Sequence, residues 1–252
     1  MPIEDRWSLV KLARKYGFLI VADEVYHLLD WSQQRPARFS ILDHLFSERS
    51  EFQTQITHSD SDSDVSSMNK GCSVSVTSFT KIFTPGVRIG FIEGPTSIID
   101  SIVNLGYIQS QGACAPFVGN IMRTALTEGI QDRILDNLIA SYKERSDILC
   151  DILETEPGIK IHKRPSGGYF VWIDFLNMNT DTFYSFCLGR GLKFMPGIKC
   201  DPMMEDNFEM SMQEKGLCQH SARLCFADMD KDDIAEGAHL LVTLYREYAG
   251  KL

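Results

Sequence analysis

The sequence predicts an α/β protein in which a partial large domain with a mostly parallel sheet precedes a smaller α+β unit. Two adjacent segments at the start carry this prediction. Residues from Glu4 to Tyr16 place apolar side chains at helical spacing, and Gly17 suits a left-handed C-cap. The next residues, Phe18 to Ala22, form a continuous apolar run that is typical of a strand covered on both faces of a parallel sheet. A helix that leads into a buried strand indicates the α/β class.

The middle of the chain predicts a hairpin-like segment after a mobile insertion. Residues 47–71 are polar and show neither helical nor strand periodicity, so we expect an insertion there. Its alternating serines and aspartates lack the glycine and the glutamate that a calcium loop requires, which disfavours calcium binding. Val74 to Thr77 then alternates as a strand does, Ser78 to Lys81 predicts a turn, and Val87 to Phe91 predicts a second strand.

A long amphipathic helix from Ile134 to Leu153 divides the chain, because its apolar stripe suits a helix that joins two domains. We therefore predict a partial large domain over residues 1–135, followed by the linking helix and a small domain over residues 136–252. The predicted elements of the small domain are strands at Tyr169 to Phe175, Leu192 to Met195 and Arg223 to Ala227 and a closing helix from Lys231 to Tyr248.

Composition excludes several classes of partner. The chain has 252 residues, 44% of them hydrophobic, which is enough to bury a substantial core. Its formal charge of -9 disfavours nucleic acids and anionic membranes as partners. No apolar run is long enough to span a bilayer, and we expect a cytoplasmic protein. The seven scattered cysteines predict reduced intracellular thiols, and the histidines lack the spacing of metal ligands, so we predict no metal.

Four short motifs follow one another along nearly the whole chain, and each alone would match many unrelated proteins. In this order and at these separations they resemble the class I/II aminotransferases, which are fold type I enzymes dependent on pyridoxal 5'-phosphate (PLP). Within that family, Gly106 to Gly112 is most similar to the aminoadipate and aromatic aminotransferase branch. The motifs are Asp23-Glu24-Val25-Tyr26, Ser78-Phe79-Thr80-Lys81 with Gly86-Val87-Arg88-Ile89-Gly90, Pro165-Ser166-Gly167-Gly168-Tyr169-Phe170, and Arg223-Leu224-Cys225-Phe226-Ala227.

The resemblance implies roles for three residues around the cofactor ring. Lys81 would form the Schiff base with PLP and then carry the proton between the substrate Cα and the cofactor C4'. Asp23 would pair with the pyridine nitrogen and keep it protonated, so that the ring can withdraw electrons. Tyr26 would donate its hydroxyl to the cofactor's phenolic oxygen, and a packed core tyrosine is the alternative.

The resemblance also implies the groups that hold the two anions. Ser78 and Arg88 would bind the cofactor phosphate, the arginine through a bidentate fork. Arg223 would bind the substrate α-carboxylate, because the planar guanidinium matches a carboxylate. A surface arginine at the start of a strand is the alternative for Arg223.

The implied function is the transfer of an amino group between an amino acid and a 2-oxo acid, in a homodimer or in association with a full-length relative. Two alternatives stay open: another fold type I reaction, such as a lyase or a decarboxylase, and a noncatalytic truncated protein. This sequence lacks the family's phosphate loop, its stacked aromatic residue and its Asn-Pro-x-Gly turn. Its first residues correspond to the family positions just after that turn. We therefore expect weak PLP binding unless another polypeptide supplies these parts, together with an uncovered sheet edge and exposed apolar surface.

Overall fold

The computed structural model describes residues 1–48, 71–113, 115–201 and 218–251. The predicted α/β class is confirmed. The described residues form two compact units, Met1–Leu138 and Ile139–Leu252. Most of the insertion predicted over residues 47–71 lies outside the described residues. This includes the run of serines and aspartates that was compared with a calcium loop.

The first unit is built on a mixed three-stranded sheet in the order β1-β2-β3. β1 runs parallel to β2, and β2 runs antiparallel to β3, so the predicted hairpin-like pairing is confirmed. Helices cover the face of the sheet that bears Ala22 and Ser75. These elements are α1 (Ile3–Tyr16), β1 (Ile20–Asp23), α2 (Phe39–Glu48), β2 (Ser73–Ser78) and β3 (Gly90–Glu93).

The first helix ends where the sequence predicts, because Gly17 adopts a left-handed conformation with φ of 71° and donates its N–H to the carbonyl of Ala13 at 2.8 Å. The prediction that the following strand is buried on both faces is wrong. β1 begins at Ile20, and its side chains are alternately buried and exposed, with Val21 65% exposed. Helices α1 and α2 cover the face that carries Ile20, and the apolar residue Val21 lies on the other face. The expected exposed apolar surface is therefore present at this strand.

A buried ion pair joins α1 and α2 to the start of β2. Nη2 of Arg14 lies 2.6 Å from Oδ1 of Asp43, and both side chains are 2% exposed. The other carboxylate oxygen, Oδ2, accepts the backbone N–H groups of Cys72 at 2.6 Å and Ser73 at 2.9 Å. Because one carboxylate binds both a helix side chain and a strand backbone, it fixes the position at which β2 enters the sheet.

The predicted strand from Val87 to Phe91 is wrong over its first three residues. Pro85–Val87 forms a 3-10 turn, and Arg88 has a left-handed backbone with φ of 50°. Extended pairing begins only at Gly90, which lies opposite Ser78. A Cβ atom at Gly90 would lie 2.5 Å from the carbonyl oxygen of Thr77, so the close approach of the two strands requires glycine there.

Four further helices follow β3: α3 (Thr96–Val103), α4 (Gly106–Gln109), α5 (Pro116–Thr127) and α6 (Ile130–Leu153). The last of these confirms the predicted long helix and begins four residues earlier than predicted, directly after Gly129, whose positive φ of 64° separates it from α5. Within the described parts of the chain, no helix is both long and apolar enough to cross a membrane.

The second unit contains an antiparallel sheet in the order β4-β5-β7-β6. Its strands are β4 (Ile159–Ile161), β5 (Phe170–Phe175), β6 (Met195–Pro196) and β7 (Ser221–Cys225), and its helices are α7 (Thr180–Leu188) and α8 (Lys231–Ala249). The predicted strands at Tyr169 to Phe175 and Arg223 to Ala227 and the closing helix are present with shifted ends. The strand predicted from Leu192 to Met195 is wrong over its first three residues, since β6 begins at Met195, and β4 and α7 were not predicted. Aromatic side chains fill the core, with the rings of Phe175 and Phe183 centred 5.0 Å apart.

Candidate cofactor site

Asp23 and Ser78 are the last residues of two neighbouring parallel strands. Asp23 pairs with Val76, so Ser78 lies two residues further along the adjacent strand. The carboxyl ends of parallel strands form the edge at which open α/β sheets bind ligands. Asp23 is exposed at this edge, and its Oδ1 accepts the N–H of Val25 at 3.3 Å. Both predicted site residues therefore lie at the same edge of the sheet.

The turn that follows β1 brings Tyr26 next to Lys81. Backbone bonds from His27 N to Glu24 O at 2.9 Å and from Leu29 N to Tyr26 O at 3.0 Å shape this turn, and Leu29 is fully buried. Nζ of Lys81 lies 5.6 Å from the centre of the Tyr26 ring, within range of a cation–π contact. Two turns after different strands thus meet through these two half-buried side chains.

A short helical turn after β2 carries Lys81. Phe83 donates its N–H to the carbonyl of Phe79 at 2.9 Å, and Phe79 donates to the carbonyl of Ile89 at 3.0 Å. The rings of Phe79 and Phe91 are centred 5.7 Å apart. These contacts attach the turn to the segment that leads into β3, so they fix the backbone that carries Lys81.

Ser78, Thr80 and Arg88 form one polar cluster beside this turn. Oγ of Ser78 accepts the N–H of Thr80 at 3.1 Å and donates to the carbonyl of Ile89 at 3.4 Å. Nη1 of Arg88 donates to Oγ1 of Thr80 and to the carbonyl of Pro85, both at 3.4 Å. The left-handed backbone of Arg88 directs the chain through this tight approach. Thr80 belongs to the motif that the sequence singled out, but its contact with Arg88 was not predicted.

The two carboxylates after β1 have different roles. Glu24 is buried, and its Oε1 accepts a hydrogen bond from Nη1 of Arg6 at 2.8 Å while its Oε2 accepts the N–H of Phe39 at 3.3 Å. Glu24 therefore joins α1 and α2 behind the sheet edge, and Asp23 is the carboxylate that the site exposes.

His27 follows Tyr26 in the turn after β1. Burial lowers the pKa of its imidazole, and the nearby guanidinium groups of Arg38, Arg35 and Arg6 lower it further, while the charge of Glu24 acts in the opposite direction. His27 therefore binds a proton less readily than a free imidazole does.

Arg223 lies in the second unit, at the centre of β7. It pairs with Trp172 on β5 and with Met195 on β6. Its guanidinium carbon lies 4.3 Å from the centre of the Phe170 ring, close enough to stack on the aromatic face. The first unit thus brings together Asp23, Tyr26, Ser78, Lys81 and Arg88, whereas Arg223 belongs to the other unit. Within the described residues, no cluster of histidine, cysteine, aspartate and glutamate has the arrangement of a metal site.

The chain belongs to the aminotransferase class I and II family, whose family model matches residues 1–241. Among curated proteins, an uncharacterized protein of Saccharomyces cerevisiae, YER152C, is 27% identical over 252 residues, which cover 98% of this chain and 53% of that protein. The 2-aminoadipate transaminase of Thermus thermophilus is 22% identical over 246 residues, covering 95% of this chain and 52% of that enzyme.

Solved structures share the fold. A Pyrococcus horikoshii kynurenine aminotransferase in complex with PMP superimposes with a TM-score of 0.72 at 22% identity, covering 97% of this chain and 52% of that chain. The present chain therefore spans about half the length of the relatives it matches. The resemblance to the aminoadipate branch of the family is confirmed by the Thermus relative.

Proposed function

We propose that this chain carries the cofactor lysine of a PLP-dependent aminotransferase that transfers an amino group between an amino acid and a 2-oxo acid. The observation that supports this proposal most directly is the grouping of Lys81, Tyr26, Asp23, Ser78 and Arg88 at one edge of the sheet in the first unit. Membership of the aminotransferase class I and II family supports it as well.

The donor set of this edge fits three of the functional groups of PLP. The amine of Lys81 suits the aldehyde, the exposed carboxylate of Asp23 suits the pyridine nitrogen, and the cluster of Ser78, Thr80 and Arg88 offers hydroxyl and guanidinium donors for the phosphate. When bound, PLP supplies a ring that withdraws the electron pair left at the substrate Cα. PMP, the pyridoxamine form of the same cofactor, is present in the Pyrococcus neighbour.

Each residue then has a definite task. The amine of Lys81 takes the proton from the substrate Cα and returns it at the cofactor C4'. Asp23 holds a proton on the pyridine nitrogen, and Tyr26 donates its hydroxyl to the phenolic oxygen. Ser78 and Arg88 hold the phosphate, which fixes the ring relative to Lys81. Arg223 binds the substrate α-carboxylate, with its guanidinium oriented by the face of Phe170.

We further propose that the active assembly forms in the cytoplasm and contains a second polypeptide, either another copy of this chain or a longer relative. The exposed side chains of Val21, Tyr107 and Phe117 support this part of the proposal, because a second polypeptide that covered them would remove large apolar side chains from water. The similarity to a 2-aminoadipate transaminase supports an amino acid of that class as the donor.

The proposal is tested by reductive trapping of PLP on the purified chain, alone and with a longer relative. Borohydride fixes PLP to the lysine that bonds to it, and peptide mapping then identifies that lysine. We expect the label on Lys81, its loss in Lys81→Arg, and no loss in the surface control Lys143→Arg, whose Nζ lies beside Asp147. Amino transfer to an added 2-oxo acid completes the test.

The other functions give different results in the same experiment. Trapping on Lys81 together with elimination or release of carbon dioxide, without transfer to a 2-oxo acid, would indicate a lyase or a decarboxylase. Absence of the Lys81 label under both conditions would contradict the proposal and favour a noncatalytic protein.

A further inference from the structure

We propose that Gln131 is a positioning residue for Lys81, because its buried amide holds the turn from which the lysine rises. The inference rests on the proposed function of Lys81 and adds a residue that none of the sequence motifs contains.

Gln131 is the second residue of α6, and it is 4% exposed. Its Nε2 donates a hydrogen bond to the carbonyl oxygen of Ile82 at 2.7 Å, in a buried environment. Ile82 directly follows Lys81 and is 1% exposed. One buried side chain therefore connects the first turn of α6 to the residue next to the cofactor lysine.

The hydrogen bond from Gln131 reaches a carbonyl of the turn, whereas the backbone hydrogen bonds within the turn use N–H groups of Ile82 and Phe83. Within the turn, both Ile82 and Phe83 donate their N–H groups to the carbonyl of Phe79, at 3.3 and 2.9 Å. The donor for the Ile82 carbonyl comes from Gln131. Two backbone hydrogen bonds to Phe79 thus close the turn, and the hydrogen bond from Gln131 connects it to α6.

The amide oxygen of Gln131 shows that burial of this side chain costs free energy. Oε1 of Gln131 is buried and has no hydrogen-bond partner among the residues that the structure describes. The reversed amide would place an oxygen against the Ile82 carbonyl, so the chemistry allows only the observed orientation. An apolar side chain of similar length would avoid the unsatisfied oxygen but would remove the donor to the buried Ile82 carbonyl, so the two effects on stability oppose each other.

What the amide provides is a fixed base for a flexible side chain. Lysine has four rotatable bonds, and the proposed reaction requires its nitrogen to bond to the cofactor and later to move a proton. The nitrogen of Lys81 can reach both positions only if the backbone of the lysine turn stays in place. Because Gln131 holds the adjacent residue, it limits where the amine of Lys81 can reach beside Tyr26.

The test compares Gln131→Met with Gln131→Glu in the full chain. Two properties are measured: deuterium uptake of the peptide that contains residues 79–83, and the acetylation rate of Lys81 relative to that of Lys143. In Gln131→Met we expect both to rise about fivefold, since one buried hydrogen bond is lost. We also expect a similar fall in reductive trapping of PLP on Lys81.

Gln131→Glu supplies a rescue that depends on pH. An ionised carboxylate cannot donate to the Ile82 carbonyl, but a protonated carboxyl group can, and burial raises the pKa of a carboxyl group. We therefore expect this variant to match Gln131→Met at high pH and to regain the wild-type deuterium uptake and acetylation ratio as the pH falls. Gln131→Met has no such recovery.

Two controls separate positioning from general loss of stability. Gln109→Met removes the same kind of bond at an exposed position, where Nε2 of Gln109 donates to the carbonyl of Val103 at 2.9 Å. Val10→Ala makes a cavity in the core between α1 and α2, which contains no residue of the lysine turn. We expect both controls to leave the acetylation ratio of Lys81 unchanged.

The proposal is overturned if Gln131→Met lowers the melting temperature without changing the Lys81 ratio or the deuterium uptake of residues 79–83. It is equally overturned if Gln131→Glu shows no recovery at low pH. Failure of wild-type protein to trap PLP on Lys81 would contradict the proposed function instead, and the acetylation and deuterium measurements would still decide whether Gln131 holds the lysine turn.

Discussion

The nitrogen of Lys81 lies 5.6 Å from the centre of the Tyr26 ring, although the two residues belong to turns after different strands. Parallel pairing of β1 with β2 brings the two residues together, because it places the carboxyl ends of both strands at the same edge of the sheet. The ring provides a flat, electron-rich surface beside the lysine side chain. Access to the amine therefore depends on the position of a residue that is remote in the sequence.

Replacing the Tyr26 ring should affect the reactivity of Lys81 more than removing its hydroxyl. We expect Tyr26→Ala to lower reductive trapping of PLP on Lys81 by about two- to fivefold, because loss of the ring beside the amine leaves the lysine side chain less fixed at this edge. Tyr26→Phe keeps the ring and should retain most of the trapping. Quantitative peptide mapping measures both, and equal losses in the two variants would show that the ring itself contributes nothing.

The guanidinium of Arg88 should be needed for the phosphate and not for the aldehyde. Arg88→Lys keeps the positive charge but loses the fork that can bind two phosphate oxygens, so we expect PLP to bind about tenfold more weakly. Pyridoxal has no phosphate and serves as the matched ligand, and its trapping on Lys81 should be unchanged. If pyridoxal and PLP weaken equally, Arg88 supports the turn and does not bind the phosphate.

Removal of one partner from the buried pair of Arg14 and Asp43 should cost far more stability than the same change in an exposed pair of equal length. Asp43→Ala leaves a buried guanidinium and two strand N–H groups without their carboxylate, and we expect a loss of about 3–5 kcal/mol in the free energy of unfolding.

The chain offers a control for this prediction. Lys143 and Asp147 are also 2.6 Å apart, but their side chains are 54% and 44% exposed, so Asp147→Ala should cost less than about 1 kcal/mol. Denaturant unfolding measures both variants, and similar losses would contradict the assigned effect of burial.

Acidification should destabilise the first unit through His27. Its pKa is lowered in the folded chain, first by burial, so the unfolded chain binds the proton more readily. The stabilising effect is therefore fully present above the unfolded pKa of about 6.5 and is lost as the pH falls through the lower, folded value. We expect His27→Gln to reduce the dependence of the melting temperature on pH in this window. NMR titration of the imidazole checks the direction of the shift, and a folded pKa above 6.5 would refute the assignment.

Local structure was predicted correctly at two places where the whole pattern lies in one short segment. These are the helix that ends at Gly17 and the strand predicted from Val74 to Thr77, which the structure extends to Ser73 and Ser78. The strand predicted at Val87 was wrong, because a proline turn and the left-handed Arg88 interrupt a run that is otherwise suited to a strand. The burial of Val21 that the apolar run predicted was wrong as well, since the residues that cover a strand are set by distant parts of the chain.

The sequence by itself determined the family and supplied the candidate residues for a PLP site, because motif order and side-chain type are properties of the chain alone. Only the tertiary structure decided which of the two carboxylates at the end of β1 is exposed and which pairs with Arg6. Only the tertiary structure brought Gln131 to the carbonyl beside Lys81. A hydrogen bond between remote segments depends on where the packed sheet and helices place both partners, and neither segment contains that information alone.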